Sequence, residues 1–158
     1  MIVTWLACVP TPPGGTAVGN PGDADAVARW SDPDLRLDRV AVPVATAGVQ
    51  RCGGREVVRA AGVVLDGLGP SPSTVAVPGG RACAVWLALG GPIELAGATS
   101  AGTAFEVELP VDALALDAEL WIDGEALLFE WPLPFTAAEL DALGPVVELA
   151  AADPRAAA

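Results

Sequence analysis

Between Thr103 and Val111 apolar and charged residues alternate: Phe105, Val107, Leu109 and Val111 share one parity, Glu106 and Glu108 the other. A period of two predicts a half-buried strand. Pro110 has no N–H to donate, so the strand is expected to end there or run along an edge. Downstream, ALALDAELWI and EALLFEW flank Asp123-Gly124. That arrangement predicts a two-residue type I′ hairpin, in which Ile122 faces Glu125, Leu120 faces Leu127, Ala118 faces Phe129 and Leu116 faces Trp131. Upstream, Leu35–Leu37 and Val40–Val44 alternate in opposite phase, which predicts a β-bulge at Asp38-Arg39. Further strands are expected over Glu56–Leu65, Thr74–Val77, Arg81–Leu89 and Ile93–Ala96, separated by Gly-Pro, Pro-Gly-Gly and Gly-Gly-Pro turns.

One helix interrupts this pattern. Thr136 and Glu139 have the spacing of a capping box, Gly144-Pro145 closes the segment, and Val146–Leu149 returns as a strand. Short strands with such punctuation predict an all-β fold, mainly an antiparallel β-sandwich, with one short C-terminal helix. From Val9 to Asp23 prolines and glycines replace core-forming residues, the composition of a spacer. The expected organisation is a leader over 1–8, a Pro/Gly-rich tether over 9–33, the β body over 34–150 and a disordered tail over 151–158.

Composition narrows the chemistry. The 158 residues carry 20 Asp plus Glu against 8 Lys plus Arg, a net charge of -12, so nucleic acid is not an expected partner. Every basic residue is an arginine, and the chain has no histidine, lysine or tyrosine. A Ser-His-Asp or Cys-His site, a Schiff-base lysine and a histidine-ligated zinc therefore cannot be built within this chain. Carboxylates, hydroxyls, cysteines and arginines remain.

Three cysteines leave one without an intramolecular mate. Cys52 and Cys83 adjoin strand-like segments, and a disulfide between them is expected in an oxidising compartment; two buried thiols are the other reading. Cys8 follows an apolar leader and precedes the spacer. Trp5-Leu6-Ala7-Cys8 resembles the lipobox of bacterial lipoproteins, with Trp5 where that family usually has leucine. The resemblance implies lipidation at Cys8, a membrane anchor, and a place in the cell envelope. An N-terminal strand with an incidental cysteine is the alternative. Val9 is not an acidic retention signal after that cysteine, so in a two-membrane envelope the outer membrane is the expected location. The general architecture is similar to small lipoproteins carrying transthyretin- or immunoglobulin-like domains, a likeness that implies no ligand.

Other constellations are thinner. Glu106, Glu108, Asp117, Glu119 and Glu130 are the carboxylates from which an acid pair could be drawn, and Glu106 and Glu108 suit a solvated strand face better. Asn20, Asp23, Asp25, Asp32 and Asp34 offer oxygen ligands but lack the EF-hand spacing. No metal or other cofactor is expected. Trp121, flanked by Glu119 and Asp123, is a candidate stacking platform for a sugar ring or a partner's aromatic, but cover by a second sheet or the helix is the preferred reading. These readings favour a non-catalytic envelope lipoprotein that binds a protein or glycan, or serves a structural role. The alternative is a carboxylate-dependent glycan hydrolase.

Overall fold

The computed structural model describes residues 2–4, 22–29, 32–68, 74–124, 126–130 and 133–150. Strand β1 is Ile2–Thr4 and β2 is Ala24–Arg29. The longest is β3, Leu35–Gln50, followed by β4, Glu56–Asp66. Three short segments follow, β5 (Val75–Val77), β6 (Gly80–Ala82) and β7 (Ala84–Leu89). Then come β8 (Ile93–Thr99), β9 (Ala104–Leu109), β10 (Ala113–Leu116) and β11 (Leu120–Ile122). The chain closes with β12 (Leu127–Glu130), the helix α1 (Ala137–Leu143) and β13 (Val146–Leu149). The fold is thus mostly β with one short helix, as the periodicity predicts.

Strand β3 organises the main sheet. Along one edge it pairs antiparallel with β4; along the other it meets β7 and β8 in tandem. Pro43 falls opposite the break between those two strands, and its carbonyl accepts the Gly90 N–H at 2.8 Å. The N–H that proline lacks is therefore not needed by a ladder there. Strand β10 continues the sheet beyond β7 and β9 beyond β8, both antiparallel. The outermost strands, β1 on β10 and β13 on β9, join in parallel. The phase switch at Asp38-Arg39 is a bulge: the register with β8 jumps between Leu37 and Arg39. Two smaller sheets, β11–β6 and β12–β2–β5, complete the described residues.

Residues from all three sheets enter one buried apolar cluster: Val42, Val49, Leu87 and Leu95 from the main sheet, Ala82 and Ile122 from the second, Ala26 and Val77 from the third. Leu140 seals it from the helix. The capping box is present, with the Thr136 hydroxyl accepting the Glu139 N–H and the Glu139 carboxylate accepting the Thr136 N–H. Thr99 fastens the helix to the main sheet, its hydroxyl donating to Asp141 at 2.6 Å and accepting the Thr103 N–H at 3.1 Å.

The hairpin expected across Asp123-Gly124 does not form. Strand β11 pairs antiparallel with β6, whereas β12 pairs in parallel with β2, so the two apolar runs belong to different sheets. A type I′ turn needs positive φ at both central residues; Gly124 has φ 74°, but Asp123 does not enter that region. The Asp123 carboxylate accepts the Gly22 N–H at 3.1 Å, and the Gly124 N–H reaches the Gly22 carbonyl, also at 3.1 Å. These bonds turn the chain toward β2. The predicted hairpin register would also have set Asp117 opposite Glu130, and that pairing falls with it, because β12 lies in another sheet. A second correction concerns the tether, expected over 9–33: residues 24–29 form β2, with Ala24 and Ala26 in the core, because they alternate with polar or exposed positions against β5. The body therefore starts before residue 34.

Candidate functional site

Strands β6 and β11 form a ribbon whose two faces differ. In its register Leu120 faces Ala82 and Ile122 faces Gly80, and all four are buried. The intervening pair, Trp121 opposite Arg81, must point the other way, because successive side chains alternate across a strand. Trp121 is 51% exposed, so among the described residues no second layer covers it. Beside it the Arg81 guanidinium grips Glu119, with Nε at 2.8 Å and Nη2 at 2.6 Å, both on Oε1.

The disulfide lies at the same corner. Cys52 and Cys83 are bridged, with Cα atoms 4.9 Å apart, inside the range a disulfide spans. Cys52 sits in the turn after β3 and Cys83 at the break between β6 and β7, so both adjoin strands without lying inside one. The Cys83 N–H donates to the Gln50 carbonyl at 2.8 Å, and Arg51 Nη2 donates to the Gly79 carbonyl at 2.6 Å. These bonds hold the two segments together independently of the sulfurs. A Glu119 carboxylate oxygen and the two Sγ atoms lie within 4.8 Å of one another. An aromatic platform, an ion pair and a disulfide thus share one exposed corner of the body.

The other candidates are dispersed. Glu106 lies on the outer face of β9, its carboxylate 3.8 Å from Arg39, which also pairs with Glu94. Glu108 is half-buried on the same strand, and Asp117 is exposed between β10 and β11. Glu130 ends β12, in a different sheet. A surface depression of about 460 Å³ lies between the β3 bulge and the end of β4. None of the five expected acids lines it; its carboxylates are Asp38 and Asp66. Asp38 takes two bonds from Arg36, at 3.1 and 3.2 Å, and Asp66 accepts the Leu68 N–H at 2.9 Å. Of the oxygen donors between residues 20 and 34, Asn20 lies outside the described residues, as does Cys8. Asp23 and Asp32 are engaged within the fold, Asp32 accepting the Asp34 N–H at 2.8 Å. Asp25 and Asp34 are exposed.

Asp23 has a structural use. One oxygen accepts the Gly79 N–H at 3.1 Å and the other pairs with Arg59, so β2, β4 and the loop before β6 meet at one carboxylate. The Gly79 bond first, and the Arg59 bond after it, hold its pKa below the ordinary 3.8. Hydrogen bonds from Thr136 similarly lower Glu139 below 4.5, and those from Thr99 and Thr103 lower Asp141 below 3.8. A depressed carboxyl stabilises the fold above its unfolded pKa, and that stabilisation is lost as pH falls through the folded value. The urea midpoint is therefore expected to drop as pH falls below 4.5 and then 3.8. Asp23→Asn should lower it at neutral pH, with the difference from wild type shrinking below 3.8. A constant difference across that window would count against the assignment.

Comparison with protein families, with curated proteins and with solved structures found no match to this chain.

Proposed function

We propose that the chain is a non-catalytic lipoprotein of the cell envelope: a β-sandwich braced by one disulfide, tethered through Cys8, with a binding or structural role. The observation that carries this reading is the Cys52–Cys83 bridge beside solvent, since such cross-links persist where the surroundings are oxidising. The sandwich assignment, of transthyretin or immunoglobulin type, is supported by one apolar cluster fed from three β-sheets. The partner contacts are assigned to Trp121 with Arg81 and Glu119, a platform and a charged pair suited to a sugar ring or a protein's polar surface. A membrane surface is reached through the lipid, with the outer membrane as the place.

The hydrolase reading has less support. An acid pair must converge across a cleft at about 5 to 10 Å. Here Glu119 is spent on Arg81, Glu106 faces Arg39, and the depression at the bulge is lined by neither.

Strand β1 bears directly on the anchor. Lipoprotein processing ahead of Cys8 would remove Ile2–Thr4 and leave the outer edge of β10 without its parallel neighbour. Expression of the native full-length gene in a lipoprotein-processing host, with a fatty-acid analogue supplied, separates the alternatives. Wild type is expected to become labelled, to shorten by the leader and to fractionate with membranes, while Cys8→Ser does none of these. Equal labelling of both, or an unlabelled wild type retaining its first residues, would leave the incidental-cysteine reading in place.

A further inference from the structure

We propose that reduction of the Cys52–Cys83 bridge turns this corner into a site for a thiophilic divalent cation of the zinc type. Its ligands would be the two Sγ atoms and one oxygen of Glu119. The three donors already lie within 4.8 Å of one another, although they come from segments separated along the chain. Two thiolates and a carboxylate are a donor set that zinc takes, with water completing a tetrahedron.

Geometry favours the conversion. At Zn–S distances of about 2.3 Å, two sulfurs of a tetrahedral site stand about 3.8 Å apart, so they must separate after reduction while staying inside the present cluster. Cys83 is fixed by its backbone bond to Gln50, whereas Cys52 lies in a turn with Gly53 and Gly54, around which space is open. Movement is therefore available on the Cys52 side. Both Arg81 contacts to Glu119 fall on Oε1, so Arg81 is the group that orients the carboxylate beside the sulfurs. Three anionic ligands outweigh that one guanidinium.

The redox step balances with an external dithiol as reductant. One of its thiolates attacks the exposed Cys52 sulfur, the S–S bond breaks and Cys83 leaves as the thiolate. The reductant's second thiolate then displaces Cys52 and closes the reductant's own disulfide, so two electrons pass to the protein. Cation binding releases the protons still held by the two thiols. This inference does not rest on the envelope assignment; it needs only a reductant and the cation.

The test uses the full chain carrying Cys8→Ser, so that no third thiol competes. After reduction with a phosphine and removal of the reductant under inert gas, the protein is titrated with Co²⁺ alone. One equivalent is expected to bind, giving a sulfur-to-cobalt charge-transfer band and the intense visible bands of a tetrahedral site; the oxidised protein should show neither. Zn²⁺ should bleach both. Glu119→Gln keeps both thiols and should bind Co²⁺ about tenfold more weakly or worse, while Cys83→Ser should abolish the thiolate spectrum. Reduced protein that takes up no more Co²⁺ than oxidised protein would overturn the proposal. Equal affinity in wild type and Glu119→Gln would also overturn it, because two thiols on an unfolded chain bind without the carboxylate.

Discussion

Cys52→Ala and Cys83→Ala are each expected to lower the free energy of unfolding by roughly 3 to 4 kcal/mol, and the double variant by no more than either alone. The cross-link closes a separation of 31 residues, so its main action is to remove conformations from the unfolded chain. The folded side changes little, because the Cys83-to-Gln50 bond and the Arg51 bond to Gly79 hold the same two segments without the sulfurs. Urea unfolding of the four proteins in a Cys8→Ser background measures this, and reduction of the parent should reproduce the single variants. Additive losses would mean that each cysteine contributes through separate packing. That outcome would also remove the main support for an exported protein.

Gly97→Ala is expected to cost about 3 kcal/mol, the upper part of the range for overpacking a filled site. A Cβ on Gly97 would stand 3.0 Å from the Arg36 carbonyl carbon, 3.1 Å from Leu37 Cα, and closer still to the Arg36 oxygen. All of these are backbone atoms at the edge of the β3 bulge, opposite Gly97 in the ladder. Relief therefore requires shifting backbone that is itself laddered to β8 from Leu35 to Leu37. Gly48→Ala provides the contrast. There the obstruction is the Trp86 indole, lying across the glycine with Cη2 2.7 Å from the added Cβ and other ring atoms nearer. A half-buried side chain can turn away, so this variant should cost less, and Trp86→Ala should remove most of its penalty. Gly53→Ala meets nothing within 4 Å and should stay within about 0.5 kcal/mol of wild type. Thermal or urea unfolding of the three variants gives the order, and a Gly97→Ala protein as stable as Gly53→Ala would mean that β3 and β8 do not approach this closely.

Much of the local structure was legible in the chain because its causes are local. The Thr136–Glu139 capping box contains both partners of its own hydrogen bonds, and it forms as spelled. The bulge at Asp38 shows as a phase change, since an extra residue must flip every later side chain to the other face. The strand from Ala104 to Leu109 stops before Pro110 because proline cannot donate to a ladder. Of the two readings the sequence left for Cys52 and Cys83, a bridge or two buried thiols, the structure holds the bridge.

The neighbours of each strand were not legible in the same way. Alternation says which side of a strand is buried, and Leu120 and Ile122 are buried as their parity requires. It does not say which backbone completes the hydrogen bonds, and β11 finds β6 while β12 finds β2. Asp123-Gly124 looked like a hairpin because the residue types permit one, but permission is not φ. The bonds from Gly22 and the absence of positive φ at Asp123 send the chain elsewhere. The corner with Trp121, Arg81, Glu119 and the disulfide has no linear signature for the same reason. Trp121 and Glu119 are near each other in sequence, but Arg81 and Cys83 arrive through a strand pairing and Cys52 through the turn after β3. Sequence alone determined the periods and the caps, which depend on neighbours along the chain, and narrowed the cysteine pairing to one bridge or none. Only the tertiary structure decided the sheet partners and the corner, because both are set by which distant segments bury their apolar faces together.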